Sequence, residues 1–375
     1  MRIGIVSHCF PGHKDENAGF FIPDFLANLD RLSVDYNLVV PEREVMREYK
    51  GVTWYSWKRK PYPLCRYSFW RPSDIHSVVT LLKDGESALL EVVRDAAVDI
   101  NFALWAFPSG YIAYRVKKKH STPYAVWALG SDIYVYGRKP ILSSIVKTVL
   151  RNADILFADG FELARRVEEI SGKGCHFLPT GRNLPDNLDM PALDKSRLNL
   201  LFIGRWESIK GVDILVRSFA NAGLKNAFLH IVGGGSLEKW LVDFIRENNL
   251  SNEVFLHKNI PTTLLVGFLR SCDYLIIPSR SESIPLVLSE AARNNLPLVV
   301  SDVGDMGMLV EKYRAGYVFP SEDEASLARI LQQLSQAKGE KFLPGLSMLA
   351  DILDIEKGAT RFIKRVSSFL EGENG

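Results

Sequence analysis

The sequence predicts an α/β protein of two doubly wound domains, each a mostly parallel sheet with helices on both faces. Two observations lead to this fold class. Short apolar runs alternate with segments of helical period, and many runs, such as "INFALWA" and "DYLIIPS", are apolar almost throughout, as in parallel strands that helices cover on both sides. The alternation occurs in two successive series, and 375 residues exceed what one typical core organises.

Each series has its own predicted strands and helices. In the first, the strands are "RIGIV", "YNLVV", "INFALWA", "YAVWAL" and "ADILFAD", and "GFFIPDFLANLDRL" has the period of a helix. In the second, the strands are "LNLLFIG", "AFLHIVG", "EVFLH", "DYLIIPS" and "PLVVSD", and the helices are "GVDILVRSFANAG", "SLEKWLVDFIRENN" and "DEASLARILQQLSQ".

The domain boundary is predicted in a polar, proline-containing stretch, residues 180–197. The first domain then covers residues 1–182 and the second covers residues 183–358. A last helix, residues 359–372, follows the second series and has apolar residues at helical spacing. Its apolar stripe must pack on some surface, and the first domain is one candidate.

Composition favours a globular protein without a nucleic-acid partner. The formal net charge is only +2, although residues 1–182 hold 25 Lys and Arg against 20 Asp and Glu, a mild indication of an anionic partner there. Neither a signal peptide nor a run of about 18 apolar residues is found. The four cysteines are scattered, so neither a disulfide framework nor a metal site is expected, and a cytoplasmic location is the default.

The stretch after the strand "LNLLFIG" has the composition of an anion site. "GRWESIKGVDILVRSF" places Arg205, Lys210 and Gly211 just ahead of a predicted helix. The free N–H groups and the dipole of a helix N-terminus attract negative charge, and the two cations add formal charge. The alternative is a solvated loop whose Arg and Lys side chains point into water.

A second helix N-terminus is predicted in "SRSESIPLVLSEA", residues 279–291. Pro285 suits the first position of a helix, which places Ser283 in the N-cap region. The backbone N–H groups of Leu286 and Val287 then have no partner within the helix and could bind an anion.

Two carboxylates, Glu282 and Glu290, lie on either side of this helix start. Eight residues span about 12 Å along a helix axis, whereas the two carboxyl groups of a glycosidase lie roughly 5–10 Å apart. The spacing therefore fits two carboxylates that bind separate parts of one long ligand. Because the helix N-terminus lies between them, the middle of that ligand should be anionic, as in a nucleotide diphosphate that carries a sugar.

These motifs resemble those of family 4 retaining glycosyltransferases, which have the GT-B fold. Residues 198–335 are similar to the donor-binding half of that family: "GRWESIKGVDILVRSF" resembles its GR…KG signature and "ESIPLVLSE" its E-x7-E motif. In the first half, "GIVSHCFPGHKDENAGFFIPDFL" is similar to the opening strand and glycine loop. The resemblance implies two Rossmann-like domains facing a cleft, with residues 1–182 on the acceptor side and residues 183–358 on the donor side.

The resemblance also implies roles for individual residues. Arg205 and Lys210 would bind the diphosphate and stabilise it as it leaves, Glu282 would bind a hydroxyl of the transferred sugar, and Glu290 would bind the ribose. Gly19 would allow the N-terminal loop to approach the diphosphate. Backbone contacts to the donor would come from Ser283, Ile284, Leu286 and Val287. The reaction would retain the configuration of the sugar and need no metal or other cofactor, with the nucleotide-diphosphate sugar as co-substrate.

The acceptor is predicted to be a glycan or a lipid-linked molecule in cell-surface polysaccharide or glycolipid biosynthesis. Residues 54–73 combine basic and aromatic side chains, and residues 116–120, "VKKKH", add a basic cluster. This composition predicts peripheral contact with anionic lipid at the inner face of the membrane. The alternative is an ordinary surface with solvated lysines.

Leu129 departs from the family pattern. Many members have a histidine directly before the glycine of the "GSD" segment, where it is thought to meet the donor sugar, and here the residue is leucine. A packing variant and a site for a deoxy sugar both explain this change, so the donor sugar stays open.

Three other functions share parts of this pattern. A nicotinamide dehydrogenase also has doubly wound domains, but "VGGGSL" lacks the third glycine and no early strand leads into GxGxxG. A GT-B sugar-nucleotide epimerase and a non-catalytic sugar-nucleotide-binding subunit share the architecture. The presence of Arg205, Lys210, Glu282 and Glu290 favours an active transferase over the non-catalytic subunit.

Overall fold

The computed structural model of the protein describes residues 1–11, 19–42, 51–57, 64, 67–68, 70–334 and 339–372. The chain divides into two compact units. The first combines Met1–Thr180 with Ile355–Gly375, and the second is Gly181–Asp354. The division lies at the start of the polar stretch 180–197, and the chain returns to the first unit at residue 355.

Among the described residues of the first unit, seven strands form one parallel sheet. In chain order they are β1 (Arg2–Val6), β2 (Asp35–Pro41), β3 (Val52–Tyr55), β4 (Ile100–Leu104), β5 (Tyr124–Ala128), β6 (Ile155–Ala158) and β7 (His176–Phe177). Their order in the sheet is β3-β2-β1-β4-β5-β6-β7, and each neighbouring pair is parallel. The strand order reverses between β1 and β4, and doubly wound sheets bind ligands beyond the carboxyl ends of the strands at such a reversal.

Helices connect these strands and cover the sheet. They are α1 (Phe21–Arg31), α2 (Pro72–Asp95), α3 (Tyr111–His120), α4 (Ser131–Tyr134), α5 (Pro140–Asn152) and α6 (Phe161–Ser171). Aromatic side chains form much of the core between α1 and the sheet. The ring of Trp127 lies 5.9 Å from that of Phe102 and 5.2 Å from that of Phe25, measured between centroids. Contacts of this kind explain why "YAVWAL" and "INFALWA" are buried as strands.

The described part of the second unit has a parallel sheet of six strands. They are β8 (Leu198–Arg205), β9 (Ala227–Gly234), β10 (Val254–His257), β11 (Tyr274–Ile277), β12 (Leu298–Ser301) and β13 (Gly316–Phe319). Their order is β10-β9-β8-β11-β12-β13, again with every neighbouring pair parallel. The reversal here lies between β8 and β11. These two strands precede the two predicted site motifs.

Seven helices are described in the second unit, and two of them begin next to the reversal. They are α7 (Val212–Ala222), α8 (Glu238–Glu247), α9 (Thr262–Ser271), α10 (Leu286–Arg293), α11 (Met306–Tyr313), α12 (Glu324–Leu334) and α13 (Leu343–Ile352). Helix α7 follows β8, and α10 follows β11. Both helices therefore start at the carboxyl edge of the sheet, where their N-terminal N–H groups are available to a ligand.

The last helix, α14 (Ile355–Leu370), belongs to the first unit. Its Phe362 is fully buried, and the ring lies 4.4 Å from Phe102 and 5.3 Å from Phe157 between centroids. The helix begins at Ile355 rather than at the predicted residue 359. Within the helix, the missing side chain of Gly358 allows it to lie close to Pro179.

Candidate active site

Lys210 and Glu282 meet at the reversal of the second sheet. Lys210 ends a short 3₁₀ turn, Ser208–Lys210, after β8, and Glu282 lies in the loop between β11 and α10. The ammonium of Lys210 donates to Oε1 of Glu282, and Ser279 Oγ donates to the same oxygen at 3.3 Å. The two charged side chains are only 24% and 15% exposed. The structure therefore places a cation and a carboxylate in direct contact where a doubly wound sheet binds its ligand.

Gly211 makes this approach of the two loops possible. Its φ is +69°, and a Cβ there would overlap the carbonyl oxygen of Pro278 at the end of β11. Any other residue would face both the unfavourable left-handed conformation and the clash. The turn that carries Lys210 can therefore lie directly against the strand end that leads to Glu282.

Arg280 ties the same two loops together. Its guanidinium donates to both carboxylate oxygens of Asp213 at 2.8 and 2.9 Å, to Glu322 at 2.7 Å, and to the carbonyl of Ser208. Burial alone would raise the pKa of Asp213, but the hydrogen bonds and charge of Arg280 lower it on balance. A planar guanidinium with several donors suits this arrangement, because it can bind a carboxylate in two places and a backbone carbonyl at once.

The helix start predicted between the two glutamates is present. Pro285 is the N-cap residue rather than the first helical residue that the sequence predicts, because its backbone is extended, with φ −70° and ψ 141°. Ser283 therefore lies before the N-cap, and Leu286 and Val287 form the first turn. Ser283 and Ile284 lie in the loop before it. The carbonyl of Ser283 accepts a hydrogen bond from Asp305 N at 3.4 Å. These four predicted donor-contacting residues thus lie together at the N-terminus of one helix.

Glu290 is held by an arginine that the sequence motifs do not reveal. Its side chain is almost fully buried, and Oε1 accepts from Nη1 of Arg182 at 3.3 Å. Arg293, one turn further along α10, donates to the backbone carbonyl of Arg182 at 2.8 Å. Glu290 and Arg293 of α10 therefore both bind Arg182, the second residue of the second unit.

Arg205 is the last residue of β8 and pairs in register with Gly234 of β9. Its side chain is exposed, and it forms no ion pair or side-chain hydrogen bond with the residues that the structure describes. The next residue, Trp206, is fully buried, and its backbone N–H donates to the carbonyl of Gly234 at 2.8 Å. Arg205 is thus fixed through the backbone while its guanidinium is open to solvent.

Gly19 lies in the first unit, directly before α1. Its φ is +82°, its carbonyl accepts from Ile22 N at 2.9 Å, and it is buried. The loop that precedes it, residues 12–18, lies outside the described residues. The positive φ accounts for a glycine at this position.

In the first unit, the segment around Leu129 is organised by a buried carboxylate. Oδ1 of Asp132 accepts from Leu129 N at 3.2 Å, and Oδ2 accepts from Ala106 N at 2.7 Å. Asp132 is fully buried, and this burial raises its pKa to about 6 in spite of the backbone hydrogen bonds. The carboxylate connects the loops that follow β4 and β5.

The sequence of the second unit is similar to a known family. Residues 187–341 match the model of the family "Glycosyl transferases group 1". The predicted resemblance to family 4 glycosyltransferases is confirmed by this match and by curated relatives that are named as glycosyltransferases.

The curated relatives differ in how much of their length they share with the chain. The "Uncharacterized glycosyltransferase MJ1178" of Methanocaldococcus jannaschii is 25% identical over 58% of this chain and 60% of its own length. The "Putative teichuronic acid biosynthesis glycosyltransferase TuaC" of Bacillus subtilis is 25% identical over 87% of both. The chain thus spans about three fifths of the first relative and most of the second.

Solved structures establish the fold of the whole chain as GT-B. The sucrose-phosphate synthase of Thermosynechococcus elongatus has a TM-score of 0.78 and 16% identity, and the alignment covers 99% of both chains. Anabaena HepE in complex with UDP has a TM-score of 0.75 and 14% identity over 98% of this chain and 100% of its own. The predicted fold class, two doubly wound Rossmann-like domains, is therefore confirmed.

The predicted membrane-contacting segments are only partly described. Within residues 54–73, residues 58–63, 65–66 and 69 lie outside the described residues. In the cluster 116–120, Lys117 donates to Asp154 at 2.7 Å and Lys119 pairs with Glu86 at 2.7 Å, so two of its three lysines have carboxylate partners. Among the described helices, none combines the length and the apolar character that crossing a bilayer requires.

Across the described ranges, no group of three or more His, Cys, Asp or Glu side chains is placed so that it could hold a metal ion.

Proposed function

We propose that the protein is a metal-independent, retaining glycosyltransferase that moves a hexose-type sugar from a nucleotide-diphosphate sugar to a glycan or lipid-linked acceptor. Its principal support is the contact between Lys210 and Glu282 at the reversal of the second sheet, beside the start of α10. Cation, carboxylate and helix N-terminus together match a ligand with an anionic centre and hydroxyl groups around it.

The diphosphate is the part of the donor that this arrangement serves best. When the bond between C1 of the sugar and the diphosphate oxygen breaks, negative charge builds on that oxygen and the sugar becomes electron-poor. Lys210, the solvent-open guanidinium of Arg205 and the first N–H groups of α10 would stabilise the leaving diphosphate. Such fixed donors are effective because they need no reorganisation as the charge develops.

Glu282 and Lys210 have linked tasks in this proposal. In the free protein each neutralises the other, and Ser279 holds the carboxylate oxygen that Lys210 contacts. On donor binding the ammonium would turn to the diphosphate, and the carboxylate would accept a hydrogen bond from a hydroxyl of the sugar. Glu290 would bind the ribose in the same donor.

The acceptor and the pathway are proposed from the relatives. TuaC is named for teichuronic acid biosynthesis, and a solved lipopolysaccharide galactosyltransferase, WaaB, shares the fold with a TM-score of 0.71. Both names concern cell-surface carbohydrate. We assign this protein to the synthesis of a cell-surface polysaccharide or glycolipid, with a cytoplasmic location as the sequence predicts.

Donor binding and hydrolysis test the proposal without knowledge of the acceptor. Thermal unfolding is measured with uridine, guanosine and adenosine diphosphates and with their monophosphates; UDP is the first candidate because HepE was solved with it. One diphosphate should raise the unfolding temperature more than its monophosphate, because a ligand that binds only the folded state stabilises it. If none of the diphosphates binds, the proposal is wrong.

The chemistry is then followed with sugars of the nucleotide that binds. We expect slow release of free sugar in the presence of EDTA, and the anomeric proton of an early product should have the coupling constant of the donor's anomer. Inverted configuration would contradict a retaining enzyme, and activity that EDTA abolishes would contradict metal independence. A donor epimer as the product would identify an epimerase instead.

A further inference from the structure

A strongly exposed apolar surface lies in the first unit, where α2 and α5 begin. Trp70 is 93% exposed and Ile141 is 67% exposed. They border a hollow of about 420 Å³, lined by Tyr67, Ser68, Trp70, Lys139, Pro140 and Ile141. We call these six residues the Trp70 surface. Large apolar side chains that lie together in water are unfavourable unless a partner covers them.

The exposure of Trp70 is a built feature of the fold. The side chains of Trp57, Trp105 and Trp127 in the same unit are buried. By contrast, the backbone N–H of Trp70 donates to Ser68 Oγ at 3.3 Å, and the backbone N–H of Ser68 donates to the buried carboxylate of Asp74 at 2.9 Å. This turn is anchored to the first residues of α2, so the indole is held outward.

The second half of the Trp70 surface is the start of α5. Lys139 precedes the helix with an extended backbone, φ −87° and ψ 123°, and Pro140 occupies the first turn. The carbonyl of Lys139 accepts from Ser143 N at 2.7 Å, which fixes this first turn. Ile141 therefore projects from a rigid helix end, next to a cation.

The charge of the surrounding sequence is of one sign. Residues 51–73 contain five Lys and Arg and no Asp or Glu, and residues 133–152 contain four Lys and Arg and again no Asp or Glu. The Trp70 surface is formed where these two stretches meet. Nine cations without a carboxylate in the two stretches favour a partner with many negative charges.

We propose that the Trp70 surface docks on an anionic phospholipid bilayer. The indole of Trp70 and the side chain of Ile141 enter the boundary between headgroups and acyl chains, where an amphipathic ring is stable, and Lys139 binds lipid phosphate. A second copy of the chain fits less well, because a two-fold interface brings the same surface of both copies together and Lys139 would be present on both sides.

Vesicle binding with a tryptophan readout tests this proposal. Purified full-length protein is mixed with vesicles of phosphatidylcholine alone or with vesicles of phosphatidylcholine that contain about 30% phosphatidylglycerol. Each mixture is sedimented at low and at high salt. We expect retention only on the anionic vesicles, weakened by salt, since the contact is partly electrostatic. The difference spectrum between wild type and Trp70→Phe isolates one of the seven tryptophans, and its emission should shift to the blue on anionic vesicles and be quenched by brominated lipid.

Matched variants distinguish binding by the Trp70 surface from non-specific adsorption of the protein to vesicles. The double variant Trp70→Ser with Ile141→Ser should bind anionic vesicles at least about tenfold more weakly. Met348→Ser, which removes a side chain that is 59% exposed in the second unit, should bind like wild type. Lys139→Glu, which leaves the apolar residues in place, should also bind anionic vesicles more weakly. Circular dichroism checks that all variants fold.

Several results would overturn the proposal. Equal retention of wild type and the double variant, or an emission of Trp70 that vesicles leave unchanged, would show that this surface does not touch lipid. A dimer that the double variant abolishes in the absence of vesicles would assign the surface to a second copy. Donor hydrolysis does not involve these residues, so its rate should be unchanged in the double variant. The vesicle-binding test does not depend on the proposed enzyme activity and can be interpreted even if that activity is not found.

Discussion

Lys210 donates to Glu282 across 72 residues of sequence, and this ion pair joins the loops that follow the two central strands of the second sheet. Both groups are partly shielded from water, so each is stabilised by the other in the free protein. A donor that binds here must exchange this contact for contacts of its own. The pair therefore keeps two charged groups ready at the site.

Replacement of Lys210 by alanine tests this arrangement. We expect Lys210→Ala to lower turnover of the donor by at least about 100-fold, because one preplaced donor to a developing negative charge typically contributes that much. The measurement is donor hydrolysis or transfer at saturating donor. Circular dichroism should show a folded protein.

Arg246→Ala is the control. Arg246 forms an ion pair with Asp243 at 2.9 Å in the same unit, but both side chains are exposed to water. Its loss should leave turnover unchanged, since exposed pairs contribute little. Near-normal kinetics in Lys210→Ala would show that the ion pair is only structural.

Arg182 should control how well the protein distinguishes ribose from deoxyribose. Its guanidinium binds Oε1 of Glu290, which is proposed to bind the ribose. In Arg182→Met the carboxylate loses this partner, so the preference for a ribonucleotide donor over its 2′-deoxy form should fall about tenfold, the usual contribution of a hydrogen bond to a charged group. The ratio of the two kcat/KM values measures this preference.

A structural role for Arg182 would give another result. If Arg182 only anchors the chain to α10, both donors should weaken equally in Arg182→Met. Arg217→Met is the control, since Arg217 pairs with Glu324 at 3.3 Å on a more exposed part of the same unit. It should not change the ratio.

The fold was predictable from sequence where strands are buried on both faces. β4 and β5 are fully buried, and their apolar runs are unmistakable. The structure adds β3, β7 and β13, which are short and only half-buried. These strands are only two to four residues long, which is too short for an apolar run or an alternation to be recognised as a strand.

The site was predictable only where its residues form a local pattern. Lys210, Glu282 and the start of α10 lie in two compact motifs, whereas Arg280 and Asp213 are joined over 67 residues and Arg182 and Glu290 over 108. A single sequence holds no local signal for an ion pair at such a separation. Arg280 even lies inside the quoted stretch "SRSESIPLVLSEA", but nothing in its spacing shows that it holds the turn of Lys210.

Asp132 should make the first unit more stable at mildly acidic pH than at neutral pH. Burial raises its pKa from 3.8 to about 6, so the folded chain binds a proton more tightly than the unfolded chain. Its favourable contribution is complete below about 3.8 and is lost as the pH rises through about 6. Between a pH below 3.8 and a pH well above 6, this contribution to the free energy of unfolding falls by about 3 kcal/mol, at about 1.4 kcal/mol for each unit of pKa shift.

Hydrogen exchange of the two amides that bind Asp132, those of Leu129 and Ala106, measures this effect locally. After correction for the chemical exchange rate, their protection should fall between pH 5 and 7 in wild type. In Asp132→Asn, which does not titrate, this dependence should disappear even if overall protection is lower. Asp84→Asn, at an exposed position of α2, should behave like wild type. Equal pH dependence in wild type and Asp132→Asn would contradict the raised pKa.

The pKa of His230 is shifted in the opposite direction, because burial of the ring disfavours its charged form. Asn199 uses its amide N–H groups on the carbonyls of Asp194 and Arg197, at 3.0 and 2.8 Å, so its oxygen faces His230 Nε2 at 3.2 Å. Nε2 must then carry the proton. Nδ1 of His230 is left to accept from His257 Nε2, 3.2 Å away.

The pKa of His230 is lowered to about 4, mainly because the ring is buried and also because His257 lies beside it. A histidine whose pKa is lower in the folded chain contributes stability that is complete above about 6.5 and is lost as the pH falls through about 4. Carbon-13 NMR of the histidine rings should show a midpoint near 4 for His230. In His257→Phe, which keeps an aromatic ring, the midpoint should move partly towards 6.5, since the neighbouring charge is gone but the burial persists. A midpoint near 6.5 in wild type would show that the pair of His230 and His257 opens to water.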